Sequence, residues 1–149
     1  MKLSARSRYA ARILLDLAEQ KGNTPVCASS ISENTEISVP FIEQILRPLK
    51  KAGYIQSVRG AYGGHVLLRD PATITLGDIV RTMGVEINVA QCCSDPTICT
   101  RSDDCRTQIV WEHLSNVIER ELDSLTLADL MEGSGSLRKL ISLRQQKSC

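Results

Sequence analysis

The sequence predicts a mostly α fold with a small β-hairpin wing, a winged helix-turn-helix followed by one long amphipathic helix. Three observations predict it. Apolar residues recur at helical spacing in three segments before residue 52. Two short β-type runs then flank a glycine-rich tip. From residue 103 to Leu125, apolar positions step by threes and fours.

Tyr9, Ala10, Ile13, Leu14, Leu17 and Ala18 place a first helix over about Ser4 to Gln20, ended by Gly22-Asn23-Thr24-Pro25. A short helix follows over Ala28 to Asn34, with Ile31 pointing inward. After a turn at Thr35 to Ile37, Ser38 is an N-cap type, and Pro40 is tolerated in a first helical turn. That third helix carries Phe41, Ile42, Ile45, Leu46 and Leu49. Pro48 has no N–H to give and is expected to kink or loosen its last turn, with Gly53 as the residue beyond the C-cap. Tyr54–Val58 and His65–Leu68 read as two strands joined by Arg59-Gly60-Ala61-Tyr62-Gly63-Gly64, a flexible hairpin tip.

Thr75 and Asp78 form a capping-box pair, with Ile74 and Ile79 placed as a hydrophobic staple, so a helix is expected from about Leu76 to Met83. Ser102 can cap the long helix, which would begin at Asp103, with apolar positions Val110, Leu114, Val117, Ile118, Leu122 and Leu125 stepping by threes and fours. Leu125-Thr126-Leu127-Ala128-Asp129-Leu130 repeats the cap and staple before a last short helix. Gly133-Ser134-Gly135-Ser136 reads as a linker into a tail that is helical on a partner or disordered. The expected division is therefore a winged helix-turn-helix over 1–83, a cysteine loop over 84–105, the long helix and its short packing helix over 103–131, and a flexible tail over 132–149.

An apolar fraction of 42% with only 3% aromatics leaves Leu, Ile and Val to fill the core. No apolar run reaches membrane-spanning length, and the first eleven residues lack the apolar stretch of a secretory signal, so a cytoplasmic protein with no membrane partner is expected. The net charge of +1 hides an asymmetry. Residues 1–70 hold ten Lys/Arg against six Asp/Glu, and residues 71–149 hold eight against eleven. Phosphate contacts belong to the basic half. Nothing pairs a nucleophile with a base or forms a nucleotide loop, so an enzyme is not expected.

Six cysteines in a chain expected to stay in the cytosol do not make a disulfide scaffold. Cys27 is expected to be a small buried hydrophobe on a helix, and Cys149 a terminal thiol. Cys93, Cys99 and Cys105 differ. They read C-x5-C-x5-C, with Cys92 beside the first, in a polar loop from Gln91 to Arg106. Thiolates converging from one loop suit a soft metal or an iron–sulfur cluster. Structural zinc favours C-x2-C pairs, and the ferredoxin run C-x2-C-x2-C is also absent, so a cluster with three Cys and one other ligand fits best. A zinc site and a regulatory disulfide are the alternatives. Ser102 as cap would put Cys105 in the first helical turn, where the helix dipole favours thiolate.

The helix beginning at Ser38 is the recognition candidate. Ser38, Pro40, Phe41, Glu43, Gln44 and Arg47 are the early residues that can reach base edges. Gln44 suits adenine, Glu43 the cytosine amine and Phe41 a thymine methyl, while Lys50 and Lys51 suit phosphates. On the wing, Arg59 is a slim cation for a narrow minor groove, and Gly60, Tyr62 and Gly63 complete the tip. The competing reading is an ordinary small α+β core with Glu43 and Arg59 as solvated surface charges.

Taken together, these residues resemble the IscR-type iron–sulfur regulators, a family of bacterial dimeric winged-helix repressors. The resemblance runs from Met1-Lys2-Leu3-Ser4 and Arg8-Tyr9-Ala10 to about Leu130. It includes Ser38 with Glu43-Gln44, Ser57-Val58-Arg59-Gly60, Gly63-Gly64, and Cys93, Cys99 and Cys105. It implies that the long helix is a dimerisation helix with Val110, Leu114, Val117 and Ile118 at its seam. It also implies a homodimer that reads a palindromic operator in double-stranded DNA. IscR-type members hold a 2Fe–2S cluster with three cysteines and a His three residues after the last. Nitric-oxide-sensing relatives hold a 4Fe–4S cluster with an acidic residue from the partner's first helix, and other relatives use thiols alone. Here the position three after Cys105 is Gln108, and the aligned acidic position is Arg8. His113 lies eight residues beyond Cys105, about 12 Å along a helix, and is assigned to the surface or the seam. His65 is assigned to DNA or packing.

The expected function is a dimeric, DNA-binding transcription regulator, a repressor, whose operator affinity answers to an iron–sulfur cluster sensing redox state, nitric oxide or iron. The 2Fe–2S form is favoured over 4Fe–4S, and Gln108 and Cys92 stand as candidate fourth ligands. The alternatives are a cluster-free thiol or disulfide switch and a cluster carrier that does not bind DNA.

Overall fold

The computed structural model describes residues 3–20, 23–101 and 104–147, with side chains to residue 144. Ser4 starts α1 (Ala5–Ala18) by accepting the Ser7 amide on its hydroxyl at 3.1 Å. Ala10, Ile13, Leu14 and Leu17 then fall on one face and are buried. α2 (Ala28–Thr35) buries Ile31 and Thr35, and the Thr35 hydroxyl donates back to the Ile31 carbonyl. Glu36 turns the chain in the left-handed region at φ +56°, and Ser38 opens α3 (Val39–Lys51) without a side-chain cap bond.

α3 buries Ile42, Ile45, Leu46 and Leu49 at fully helical spacing. Pro48 lies inside it, yet the helix continues to Lys51. Its end is secured by a Schellman motif: the Gly53 amide donates to Lys50 and the Tyr54 amide to Leu49, with Gly53 at φ +74°. Tyr54 is buried just past this turn.

The wing pairs β1 (Ile55–Val58) and β2 (Gly64–Leu67) antiparallel, Ile55 opposite Leu67 and Val58 opposite Gly64. A third segment joins it. Val26 exchanges both backbone bonds with His65, at 3.0 and 2.8 Å, and so fastens the hairpin to the chain entering α2. Gly64 permits this approach, because a Cβ there would lie 2.4 Å from the Val26 carbonyl. At the tip, the Gly63 amide closes onto the Gly60 carbonyl.

α4 (Leu76–Thr82) and α6 (Leu127–Met131) start with the same device. Thr75 with Asp78, and Thr126 with Asp129, form complete capping boxes. The two starts also pair, Leu76 N donating to Leu125 O and Leu127 N to Ile74 O. This brings the chain after the long helix back onto the N-terminal core, where Ile74 and Leu127 are fully buried beside α1.

α5 (Arg106–Ser124) is the long helix. It starts at Arg106 with Cys105 as N-cap; Ser102 and Asp103, the expected cap and start, lie outside the described residues. Only Ser115 of α5 is buried, while Ile109, Val110, Trp111, Leu114 and Val117 are exposed. Beyond Gly133, the segment expected as a flexible tail is helical, α7 (Ser134–Lys147). Cys149 lies outside the described residues. Among the described residues no helix is long and apolar enough to cross a membrane.

Candidate nucleic-acid interface and cysteine site

α3 turns Ser38, Pro40, Glu43, Gln44 and Arg47 to the exterior. Phe41 is different. Its ring is half-buried and meets Tyr9 edge-on, with centroids 5.6 Å apart and planes at 88°. Arg8 and Arg12 lie over the same tyrosine ring, at 5.7 and 6.0 Å. Phe41 therefore seats α3 against α1, on the flank of the exposed row.

The wing tip presents Arg59, Gly60 and Tyr62 outward, Tyr62 at 95% exposure, with Gly63 half-buried behind them. Lys50 Nζ donates to Ser57 Oγ at 3.3 Å, and Ser57 Oγ contacts His65 Nδ1 at 3.3 Å. Burial holds the His65 imidazole below its usual pKa. The Lys50 charge pushes the same way, and Glu43 opposes it weakly. A neutral His65 thus links the end of α3 to the wing, and Arg47, Lys51 and Arg59 are exposed cations on these two elements.

The cysteine loop is built from two 3-10 turns, Gln91–Cys93 and Pro96–Ile98. Asp95 caps the second by accepting from both the amide and the hydroxyl of Thr97. Cys92 and Cys93 sit in the first turn, Cys99 follows the second, and Cys105 is the N-cap of α5. All four thiols are half-buried. Burial pushes the Cys92 thiol up, and Cys93 and Cys99 add to it, so these three share one local field.

Cys105 is pulled down, first by the Thr107 hydroxyl 3.1 Å away and then by the Gln108 amide. The sequence predicts Cys105 inside the first turn, with the helix dipole favouring its thiolate. Its position one residue before the helix makes specific hydrogen bonds the cause instead. Among the described residues, no three Cys, His, Asp or Glu side chains stand close enough to share one metal ion.

Gln108 connects the two halves of the loop. Its Nε2 donates to the Cys92 carbonyl at 3.3 Å and lies 3.4 Å from Glu112 Oε1, while its own Oε1 is enclosed and has no hydrogen-bond partner. Further along the same side of α5, Ser115 Oγ accepts the Val89 amide at 3.0 Å. Arg81 of α4 then reaches Glu119 at 3.0 Å and Asp123 at 2.6 Å, and also holds Asp78 at 3.0 Å. Gly77 leaves room for that contact, since a Cβ there would meet the Asp123 carboxylate.

Cys27 departs from expectation. It is exposed at the N-cap of α2 rather than buried, with Ser29 Oγ at 2.9 Å and Ser30 Oγ at 3.2 Å from its sulfur. Those hydroxyls draw its pKa down to about 7. The sequence signal was available: a cysteine followed at two and three residues by serines, at a helix start.

A three-helix reader with a hairpin wing, carrying a cysteine loop ahead of a long helix, defines a winged-helix DNA-binding regulator. The comparisons narrow the class. The Rrf2 family, described as iron-dependent transcriptional regulators, matches residues 3–133, and the chain belongs to it. The protein rrf2 of Nitratidesulfovibrio vulgaris is 38% identical over 131 residues, 88% of this chain and 87% of its own. The solved structure of T. potens IscR superposes with a TM-score of 0.72 at 36% identity, covering 89% of this chain and 87% of that one. CymR of Bacillus subtilis, a global cysteine regulator, superposes at 0.74 with 33% identity, covering 89% and 97%. The chain is accordingly a DNA-binding transcriptional regulator of the IscR type, and its relatives are regulators rather than enzymes.

Proposed function

We propose that the protein is a homodimeric repressor that reads a palindromic operator and whose grip on it is set by an iron–sulfur cluster in the cysteine loop. Ser38, Pro40, Glu43, Gln44 and Arg47 face the major groove, with Phe41 at their flank. Arg59, Gly60, Tyr62 and Gly63 enter the adjacent minor groove. Cys93, Cys99 and Cys105 hold the cluster, 2Fe–2S rather than 4Fe–4S. The chemistry of the donors supports such a group: four half-buried thiols lie within one short loop and at the start of α5, although among the described residues no three of them converge on one ion. A bound cluster supplies one-electron redox chemistry and reactivity toward oxygen and nitric oxide.

The observation that carries the reading is the polar side of α5. One helix is bonded to the cysteine turn at Gln108 and to the winged domain at Glu119 and Asp123. Ordering of the loop therefore acts on the element that positions the reading head. The exposed apolar side of the same helix supports pairing with a second copy.

The test compares operator fragments selected from genomic DNA, bound by anaerobic cluster-loaded protein and by the same protein stripped of iron. Affinities that differ by tenfold or more support the reading. Identical occupancy with and without the cluster refutes it. One observation favours a second reading, a cluster-free thiol switch: Cys92 and Cys93 are adjacent half-buried thiols in the turn just before the one that Cys99 follows. Disulfide mapping after mild oxidation, with chelators without effect on DNA binding, identifies that case.

A further inference from the structure

We propose that His65 positions the wing against the recognition helix only while its imidazole is neutral, so that mild acid, by protonating it, loosens the wing and weakens operator binding. The inference rests on the reading of α3 and the wing as the DNA-contacting elements, and it adds a condition to that reading.

Three segments meet at this residue. Its backbone exchanges both hydrogen bonds with Val26 on the chain entering α2, at 3.0 and 2.8 Å, and it stands opposite Ser57 in the hairpin. Its side chain completes a further tie. Lys50, in the last turn of α3, donates from Nζ to Ser57 Oγ at 3.3 Å, and Ser57 Oγ lies 3.3 Å from His65 Nδ1. An ammonium group can only donate, so the Ser57 oxygen accepts from Lys50 and its own proton is left to point at Nδ1. That order requires Nδ1 to accept, which a neutral ring with its proton on Nε2 does and a protonated ring does not.

Protonation turns the acceptor into a donor and sets a second cation across one hydroxyl from Lys50. Among the described residues, the charged groups acting on the ring are Lys50 and Glu43, both on α3. Burial opposes protonation first and Lys50 second, while Glu43 favours it more weakly. β1 carries no charged residue, and the Cys27 thiol, next to Val26, is turned to Ser29 and Ser30. The ring is therefore harder to protonate with the wing docked than with it released. The docked arrangement is fully favoured above the free imidazole value near 6.5 and less so as pH falls below it.

The experiment measures affinity of the full chain for an operator fragment selected from genomic DNA, from about pH 7.5 to about pH 5.5 at fixed salt. Wild type, His65→Phe, His65→Asn and Ser57→Ala are prepared alike, and melting of each reports folding. Nitrogen-15 spectra of the imidazole give its tautomer and titration midpoint. Wild-type affinity is expected to fall about 2- to 12-fold across that range, the worth of one hydrogen bond. His65→Phe should bind more weakly at neutral pH and lack the further fall. The amide oxygen of His65→Asn can stand where Nδ1 stands, so this variant should recover binding that Phe loses and keep a flat profile. Ser57→Ala should shrink the fall. The neutral ring should carry its proton on Nε2, with a midpoint below 6.5.

Three outcomes overturn the proposal. One is a His65→Phe profile parallel to that of wild type; Cys27 titrates in both proteins and cancels from this comparison. The second is binding that tightens in acid only when His65 is present, which makes the residue a phosphate contact. The third is a neutral ring with its proton on Nδ1. A wild-type chain that retains no genomic fragment sinks the DNA reading itself, and that case is told apart before any variant is made.

Discussion

Gly64→Ala is expected to detach the wing from the chain entering α2. The added Cβ would stand 2.4 Å from both the carbon and the oxygen of the Val26 carbonyl and 2.8 Å from the Cys27 amide nitrogen. All three are backbone atoms and cannot rotate aside. Reaching ordinary contact requires a separation of about 1 Å more. That shift lengthens the Val26–His65 bonds, now 3.0 and 2.8 Å, beyond useful hydrogen-bond range. Two backbone bonds at about 0.5–1.5 kcal/mol each amount to about 1–3 kcal/mol. Stiffening of the unfolded chain by Ala returns about 0.4–1 kcal/mol. The net loss is therefore about 1–2 kcal/mol, or a fall in Tm of roughly 2–8 °C for a chain of this size. Melting at fixed protein concentration measures it, and hydrogen exchange at the Val26 and His65 amides locates it. At a temperature where both proteins are folded, operator binding should also weaken, because the wing no longer sits at a fixed angle to α3. An unchanged melt with unchanged protection of those two amides would show that the bridge does not hold the wing.

Arg59→Ala should weaken operator binding and flatten the slope of log K against log salt by about 0.9, the signature of one lost phosphate contact; an unaltered slope removes Arg59 from the interface. Leu114→Asp, at a site 39% exposed in the single chain, should yield folded monomers in analytical ultracentrifugation; a persistent dimer places the seam elsewhere. Iodoacetamide should alkylate Cys27 with a pH midpoint near its lowered value of about 7, and Ser29→Ala should move that midpoint upward; a midpoint near 9 in the unaltered chain contradicts the geometry. Arg81→Leu should destabilise by about 1 kcal/mol at low salt and less at high salt, as befits exposed pairs. Hydrogen bonds from Arg81 and Thr75 hold the Asp78 carboxyl below its usual range against the opposing effect of burial. Its share of stability is therefore present above the unfolded value near 4 and is lost as pH falls below it. A wild-type acid melt that matches Arg81→Leu throughout would refute that share.

Much of the fold was legible because its signals are short-range. Ser4, Ser38, Thr75 and Thr126 announce helix starts within four residues, and Gly53 announces an end. The wing showed itself through two short β-type runs around clustered glycines. What was not legible depends on pairs distant in sequence or on a single residue. Val26 meets His65 through one bridge, too short to leave a strand pattern. Arg81 finds Glu119 and Asp123 at separations of 38 and 42 residues, and no local pattern marks such partners. Ser102 offered a cap that displaced the expected start of α5 from Arg106, because Cys105 can take the N-cap place without a capping bond. Gly133 to Ser136 concealed α7, since glycine and serine are read as linker even where the next turn is helical. At the site, the spacing of the cysteines was plain in the sequence. The enclosed oxygen of Gln108 was not, because it depends on which end of an amide faces the Cys92 carbonyl.

The two sides of α5 bound how strong a signal it can carry. At about 100° per residue, Gln108, Ser115, Glu119 and Asp123 gather on one side, and Val110, Leu114 and Val117 on the opposite one. The first side is bonded to its own subunit, and the second is left bare. A change in the cysteine loop can reach the winged domain through α5 by making or breaking the polar bonds on the first side. These are two hydrogen bonds, at Gln108 and Ser115, and the two exposed ion pairs of Arg81 with Glu119 and Asp123. At about 0.5–1.5 kcal/mol for each hydrogen bond and about 0.2–1 kcal/mol for each pair, they supply about 1.4–5 kcal/mol. Coupling free energies between sites are usually about 1–3 kcal/mol, a response of roughly 5- to 150-fold, so this set of contacts is sufficient. It also fixes a ceiling. An operator affinity that changes by much more than about 10⁴-fold on cluster loading exceeds what these contacts can transmit. The excess would have to come from the junction of Leu125 with Leu76, or from the bare side through gain or loss of the second copy.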